Sequence, residues 1–591
     1  MRIMGSTFIA ASTVAALALT VAGCSGSAGP NVSANVRLRF GAISGAMDPN
    51  AKGPAAPIPG AKKGGTLTVL NVGGNQSMDP TDSYGLLNSS VLDGMVARTL
   101  TQYYYNPKTH RQTLVPDLAT NDGTHNKNYT QWTFTLKKGI KFENGQPVTP
   151  QDIKYGIERS FDRQSFPDGA NYSNLYFLDG SSYTGPYGKD KGKPYNGVVI
   201  HGQSITIKMS KPFPGMPYWA SFPAMGPIPP GSASTPSKYA LHPWSTGPYK
   251  FAQYTPNVSL TLVKNPYWNP STDPVRHQYF DKIVFKLNMD ASQVDQIMLA
   301  DRGSAQTSIS LNNVLAADFG QFEQHARSRL ATGSVACTFF WEPDNQKITS
   351  VAVRRALGWA YPYRDAWAAQ GEIPGVTLLP AANPTPPGVV GRTPFDALPG
   401  HKPAETNAAK ARAILKQAHA LGYTIRWPYD TDLPSGSLTS VAVKNVQVAA
   451  LKAAGFNPQP FASTSSTDTA LYDNPKSNIN VRPIEWCPDW PTGDSFLPAM
   501  FQSTNLAQNG FGSNYSAFNQ PSVDARMNAI EMLPQSQQPA AWNQLERKIM
   551  STWYPVVPLS YAGLVLPAGS KVEGFTSGGG YAPTWNTMWL K

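Results

Sequence analysis

WTFTLKKGIKFENGQPVTPQDIKYGIERSFD, from Trp132 to Asp162, decides the fold class of this 591-residue chain. From Gln131 to Leu136 polar and apolar side chains alternate with period two, the pattern of a half-buried strand. Lys137-Lys138-Gly139 turns the chain, and Ile140 to Glu143 reads as a second short strand before an Asn144-Gly145 turn. Thr149-Pro150-Gln151-Asp152 then opens a helix. Thr149 suits the N-cap, Pro150 has the fixed φ of a first helical residue, and Asp152 sits at the positive end of the helix dipole. Ile153, Ile157 and Phe161 mark its buried stripe.

The same grammar extends outward in both directions. Gly64-Gly65 opens a strand to Val72, and a helical stretch covers Leu86 to Leu100. Trp244 to Phe251 and Val258 to Val263 form a hairpin. A helix is expected over Val351 to Trp367, and an alanine-rich one over Ala404 to Leu421 with Gly422 as its C-cap. Strand Thr424 to Trp427 follows, then a helix from Val441 to Ala454 stopped by Gly455. No period repeats. The alternation of strands and helices predicts an α/β protein, and more than 500 residues beyond the N-terminal region call for two or more lobes.

The N-terminus reads MRIMGSTFIAASTVAALALTVAGC. A basic Arg2, an apolar run too short to cross a bilayer and small residues before Cys24 predict a secretory signal over 1–23. The match to the bacterial lipobox makes Cys24 the expected lipid-modified residue. Residues 24–63, rich in Gly, Ala, Ser, Pro and Asn, read as that cysteine and a flexible tether. Cys337 and Cys487 remain, an even pair in a compartment where disulfides persist, and are expected to be bonded; two separate buried thiols are the alternative. The formal net charge is +12, with aromatics at 11% and charged residues at only 15%. Lysines and arginines are scattered rather than gathered on one face, which argues against nucleic-acid binding.

Catalytic machinery is hard to find. The sequence has no phosphate loop, no Gly-x-Gly-x-x-Gly, no Gly-x-Ser-x-Gly elbow and no His-Glu-x-x-His. Its eight histidines do not pair at ligand spacing. Asp489 and Asp494 could be a catalytic acid pair, but Asp494 fits a helix cap better. EWCPDWPTGDSFL, from Glu485 to Leu497, instead suggests charge recognition. Asp489 between Trp486 and Trp490 can attract an ammonium group by ion pairing, and indole rings add cation–π attraction. An exposed loop acid beside core tryptophans is the plainer alternative.

Taken together, the Trp132–Asp162 stretch, STGPYKF with VKNPYW, the helix around VRRALGWAYPYRDA and WYPVVPLSYAG resemble the solute-binding lipoproteins of peptide and nickel ABC importers, most closely the oligopeptide-binding branch. The similarity runs from Gly64 to Lys591. It implies a type II periplasmic-binding-protein fold, two hinged lobes plus an additional inserted domain. Lobe I is expected over 64–104, 212–335 and 555–591, the inserted domain over 105–211 and lobe II over 336–554. CTFFWEPDNQK and WCPDWPTGDSFL are similar to the places where such proteins bridge two cysteines, so the resemblance also pairs Cys337 with Cys487. It places Asp489 at the ligand's α-ammonium; Trp486 and Trp490 remain candidates from the residue reading alone. Arg482 lies near an expected carboxylate-binding arginine, but its spacing departs from the pattern and it stays outside the site. The implied partners are an oligopeptide, an ABC permease with its ATPase, and the membrane through the lipid anchor, with no nucleic acid, metal or cofactor, for a monomer that is not an enzyme. Other solutes on the same scaffold (a nickel complex, haem or sugar), a peptide-sensing role and a lipid-anchored hydrolase are the alternatives.

Overall fold

The computed structural model describes residues 42–74, 77–432, 437–506, 513–577 and 584–591. The expected signal, Cys24 and the first part of the tether therefore lie outside the described residues. Three hydrophobic cores organise the chain, each against its own sheet.

The first core lies on a five-stranded sheet in the order Ser308–Ser310, Thr66–Leu70, Lys282–Lys286, Ser259–Lys264, Tyr249–Thr255. The three strands at its head are parallel and the last two form the expected hairpin. Leu67, Val69, Leu260 and Phe285 fill its buried face.

The opening stretch builds the second core. Gln131–Thr135 pairs with Ser204–Lys208 in a four-stranded antiparallel sheet, with Trp132 and Phe134 turned inward. Helix Pro150–Arg159 starts at the predicted N-cap Thr149, which also forms a capping box with Asp152, and Ile153, Ile157 and Phe161 are buried. Gly156 is required there, because a Cβ would lie 2.3 Å from the Gly226 carbonyl oxygen.

The third core is the largest. Its sheet runs Leu378–Pro380, Val557–Pro567, Leu330–Pro343, Val481–Trp486, backed by helices that include Val351–Ala360, Ser437–Ala453 and Gln538–Thr552. Two of these strands are long and antiparallel. Residues Leu330–Ser334 pair with Gly563–Pro567 beside the first sheet, which Ile309 reaches through a bridge to Ala568. Thr338–Trp341 pair with Val557–Tyr561 inside the third body, and the register shifts between the two halves. This pair of strands crosses from the first sheet to the third body, and the break in its ladder bends it locally.

Several expectations need correction. Ile140 to Glu143 is not a strand: Asn144-Gly145 is closed by one bridge, Lys141 to Pro147. The helical stretch Leu86–Leu100 ends early, as Leu86–Val91 followed by a π-helical turn, Leu92–Val96. Pro362 splits the single helix expected over Val351–Trp367 into Val351–Ala360 and Tyr363–Gln370, because a proline ring disfavours helical geometry in the residue before it. The alanine-rich helix spans only Ala408–Gln417, capped by Asn407 and ending well before Gly422. The tether is also shorter than expected. Strand Ala42–Met47 adds in parallel to the edge strand Arg111–Pro116, and the Ala55 amide donates to the Asp273 carbonyl at 2.8 Å. An unpaired strand edge invites such addition.

Candidate functional site

Strand Val481–Trp486 positions the site loop. Trp486 pairs in register with Thr338, and the next residue, Cys487, is disulfide-bonded to Cys337. The expected staple is therefore formed, and it closes a separation of 150 residues. Pro488 is buried, and Asp489 and Trp490 follow from the stapled edge.

Asp489 is half-buried and accepts hydrogen bonds from two tyrosines remote in sequence. Tyr84 Oη donates to Oδ1 at 2.6 Å, and Tyr172 Oη donates to Oδ2. Tyr84 belongs to the segment between the first sheet's opening strand and its helix, Tyr172 to a short helix of the second body, and Asp489 to a loop of the third. The carboxylate thus ties three parts of the molecule together. Burial pushes its pKa up to about 6, against which the Tyr172 and Tyr84 hydroxyls act by stabilising the charged form. Burial, together with the charge of Asp489, raises the Tyr172 phenol well above its ordinary value.

Neither of the two tryptophans expected beside Asp489 is among the walls of the cavity that Asp489 lines. Trp490 is 1% exposed and joins the second core, where its ring centroid lies 4.9 Å from Tyr172 and 6.0 Å from a nearly coplanar Tyr218. It plugs one body into another rather than lining a cavity. Its indole Nε1 donates to Asp494 Oδ2 at 3.0 Å, and Thr492 Oγ1 donates to the other oxygen. Asp494 is thus a half-buried acceptor within the turn Gly493–Ser495; the N-cap position expected for it falls to Thr492. Trp486 packs half-buried against the third core, and among the described residues its indole N–H has no hydrogen-bond partner. Arg482 donates to Asp344 at 3.1 Å in the third body.

Asp489 lines a cavity of about 200 Å³. Tyr84, Asp93, Arg276 and Trp585 on the first body's side, Phe222 beside the second core and the Cys487–Asp489 loop of the third are among its walls. Arg276 is fully buried and braced by Asp117 at 2.8 Å and Asp273 at 3.3 Å; Arg98 reaches the same Asp117 at 2.7 Å. This network holds the cavity wall without presenting a spare cation to it. A larger cavity, about 450 Å³, lies within residues 161–189 and includes none of the expected site residues. Among the described residues the one cluster at metal-ligand spacing is Cys337, Glu485 and Cys487, whose two sulfurs are bonded to each other.

Sequence reading missed Tyr84, Tyr172 and Asp93. Nothing in the neighbourhood of either tyrosine signals a partner 405 or 317 residues away.

A family model for bacterial extracellular solute-binding proteins, family 5, matches residues 113–508. The periplasmic oligopeptide-binding protein OppA of Escherichia coli is 23% identical over 520 residues, covering 85% of this chain and 88% of its own. Among solved structures, clavulanic acid biosynthesis oligopeptide binding protein 2 superposes with a TM-score of 0.80 at 22% identity, over 93% of this chain and 99% of that one. DppA from Helicobacter pylori, in complex with the peptide STSA, superposes with a TM-score of 0.67 at 19% identity, over 90% and 99%. These neighbours share the two-lobe type II architecture.

Proposed function

Because the chain belongs to the bacterial extracellular solute-binding proteins of family 5, we propose that it captures oligopeptides in the cleft at Asp489 and delivers them to an ABC importer from a lipid anchor at Cys24. The observation that carries this reading is the Asp489 carboxylate: it lines a cavity between bodies and is met by tyrosine hydroxyls instead of a cation.

A binder that accepts many side chains must recognise what peptides have in common, the charged terminus and the backbone N–H and C=O groups. A protonated α-amine arriving at Asp489 adds a charge-assisted hydrogen bond, about twice as strong as the neutral hydroxyl ones already there. The Tyr84 and Tyr172 hydroxyls are then positioned to orient the carboxylate. Because these three residues come from three bodies, filling the site also stabilises the closed arrangement, and bending at the crossing strands opens it. A permease that distinguishes closed from open reads occupancy. No bond in the ligand need be made or broken, and an ATPase on a separate chain would supply the energy for uptake.

Native mass spectrometry of gently purified protein, followed by calorimetry with free and N-acetylated tripeptides, tests the proposal. Retained peptides recovered intact, with N-acetylation weakening binding, support it. A bound sugar or metal chelate, or cleaved peptides, would sink it. For the anchor, Cys24→Ser should release the protein from membranes into the medium or periplasm, and unchanged membrane association would overturn that part alone.

A further inference from the structure

The cavity has a second acid. Asp93 lies in the π-helical turn Leu92–Val96 and lines the same cavity as Asp489. Such turns interrupt a regular helix and are frequent at functional sites. Its Oδ1 is buried and, among the described residues, has no hydrogen-bond partner. The nearest cation does not supply one. Arg276 Nε donates to the Asp93 backbone carbonyl at 2.7 Å, its Nη1 to Asp117 and Asp273, and its Nη2 to the Ala97 carbonyl. Directly after Asp93, a Cβ on Gly94 would fall 2.4 Å from Trp585 Cδ1, so the indole packs tightly over this turn.

Buried polar atoms are nearly always satisfied, and an orphaned one calls for a physical explanation. We infer that Asp93 is a second cation-binding point in the cleft, one that takes a basic group on the ligand's first side chain while Asp489 takes the α-ammonium. The inference rests on the peptide reading of the site. Two acids lining one cavity of about 200 Å³ can be met by two cations close together on one small ligand, which an N-terminal lysine or arginine provides. Burial suits a proton at this position. Burial, reinforced by the negative charge of Asp117, pushes the Asp93 carboxyl well above its ordinary range despite the opposing Arg276. A ligand cation displaces that proton and supplies the missing partner.

The test compares Lys-Ala-Ala with norleucine-Ala-Ala, which differ in one ammonium group, and adds 1,5-diaminopentane as a dication without a peptide backbone. Wild type should prefer the lysine peptide by about tenfold or more, and Asp93→Asn should abolish that preference while holding the norleucine peptide within about twofold. That retained affinity also shows the variant is folded. Equal lysine preference in both proteins, or none in wild type, overturns the inference. If neither tripeptide binds wild type, the peptide reading fails and the diamine decides for Asp93. Diamine binding weakened by Asp93→Asn supports it, and binding that is absent or unchanged overturns it.

Discussion

Asp117 and Asp489 are both carboxylates withdrawn from bulk water, yet their surroundings are opposite. Asp117 is fully buried and shared between Arg98 and Arg276 at 2.7 and 2.8 Å. Among the described residues, the hydrogen-bond partners of Asp489 are two tyrosine hydroxyls. Charge supplied from within the chain marks an acid that holds the fold. An acid withdrawn from water without a cation is costly unless something else provides one, and Asp489 faces a cavity. The contrast separates structure from recognition more sharply than burial does.

The largest effect should come from the structural acids. Arg276→Met strips Asp117 and Asp273 of a shared cation while leaving them buried, a change that costs about 3–5 kcal/mol in comparable networks. Urea unfolding should show that loss, and a loss below about 1 kcal/mol would break the assignment of this cluster to the fold. Next in size is the staple. Replacing both Cys337 and Cys487 by alanine should remove about 2–4 kcal/mol, since the loop they close is long;. Two freely alkylated thiols in the native wild-type protein would contradict the bond.

Asp489→Asn should behave in the opposite way to Arg276→Met. Removing a charge that has no cationic partner leaves unfolding nearly unchanged, whereas affinity for a free-amine tripeptide should fall by about 2–3 kcal/mol, roughly one and a half to two decades in Kd. The N-acetylated tripeptide should be affected little. Equal losses for both would remove Asp489 from the ammonium contact.

How much of this could be read in the sequence follows from the range of the interactions. Strand Gln131–Thr135, the Thr149 N-cap and the hairpin at Tyr249–Lys264 are local patterns, and all appear as expected. Pro362 is a local signal too, and it was outweighed by the apolar periodicity running through it. The pairing of Cys337 with Cys487 spans 150 residues and was legible because so few cysteines were available to pair. The Asp489 loop was legible as a motif, but its surroundings were not. Two large rings next to an acid look alike whether they line a cleft or lock two bodies together, and Trp490 does the latter. Asp93 left no trace at all, because the absence of a partner becomes visible only when every neighbour has been placed.

The smallest effects concern how the tyrosines tune Asp489. With its pKa raised to about 6 by burial, the protonated form is favoured by folding. Its contribution to the closed state is complete below the unfolded value, near 4, and is lost as pH rises through about 6. Ligand capture needs the ionised form, so free-amine affinity should be flat above about pH 7 and fall toward tenfold per pH unit well below 6, with N-acetylated peptide showing no such limb. Tyr172→Phe and Tyr84→Phe keep their rings and delete a hydroxyl that stabilises the carboxylate. Each should move the midpoint upward, Tyr172→Phe by more, because its hydrogen bond opposes desolvation more strongly. Single lost bonds of this kind are worth about 1 kcal/mol, under one pH unit. A downward shift in either variant would mean that the phenols repel the charged form rather than hold it, and the division between cation-paired and hydroxyl-paired acids would no longer explain the site.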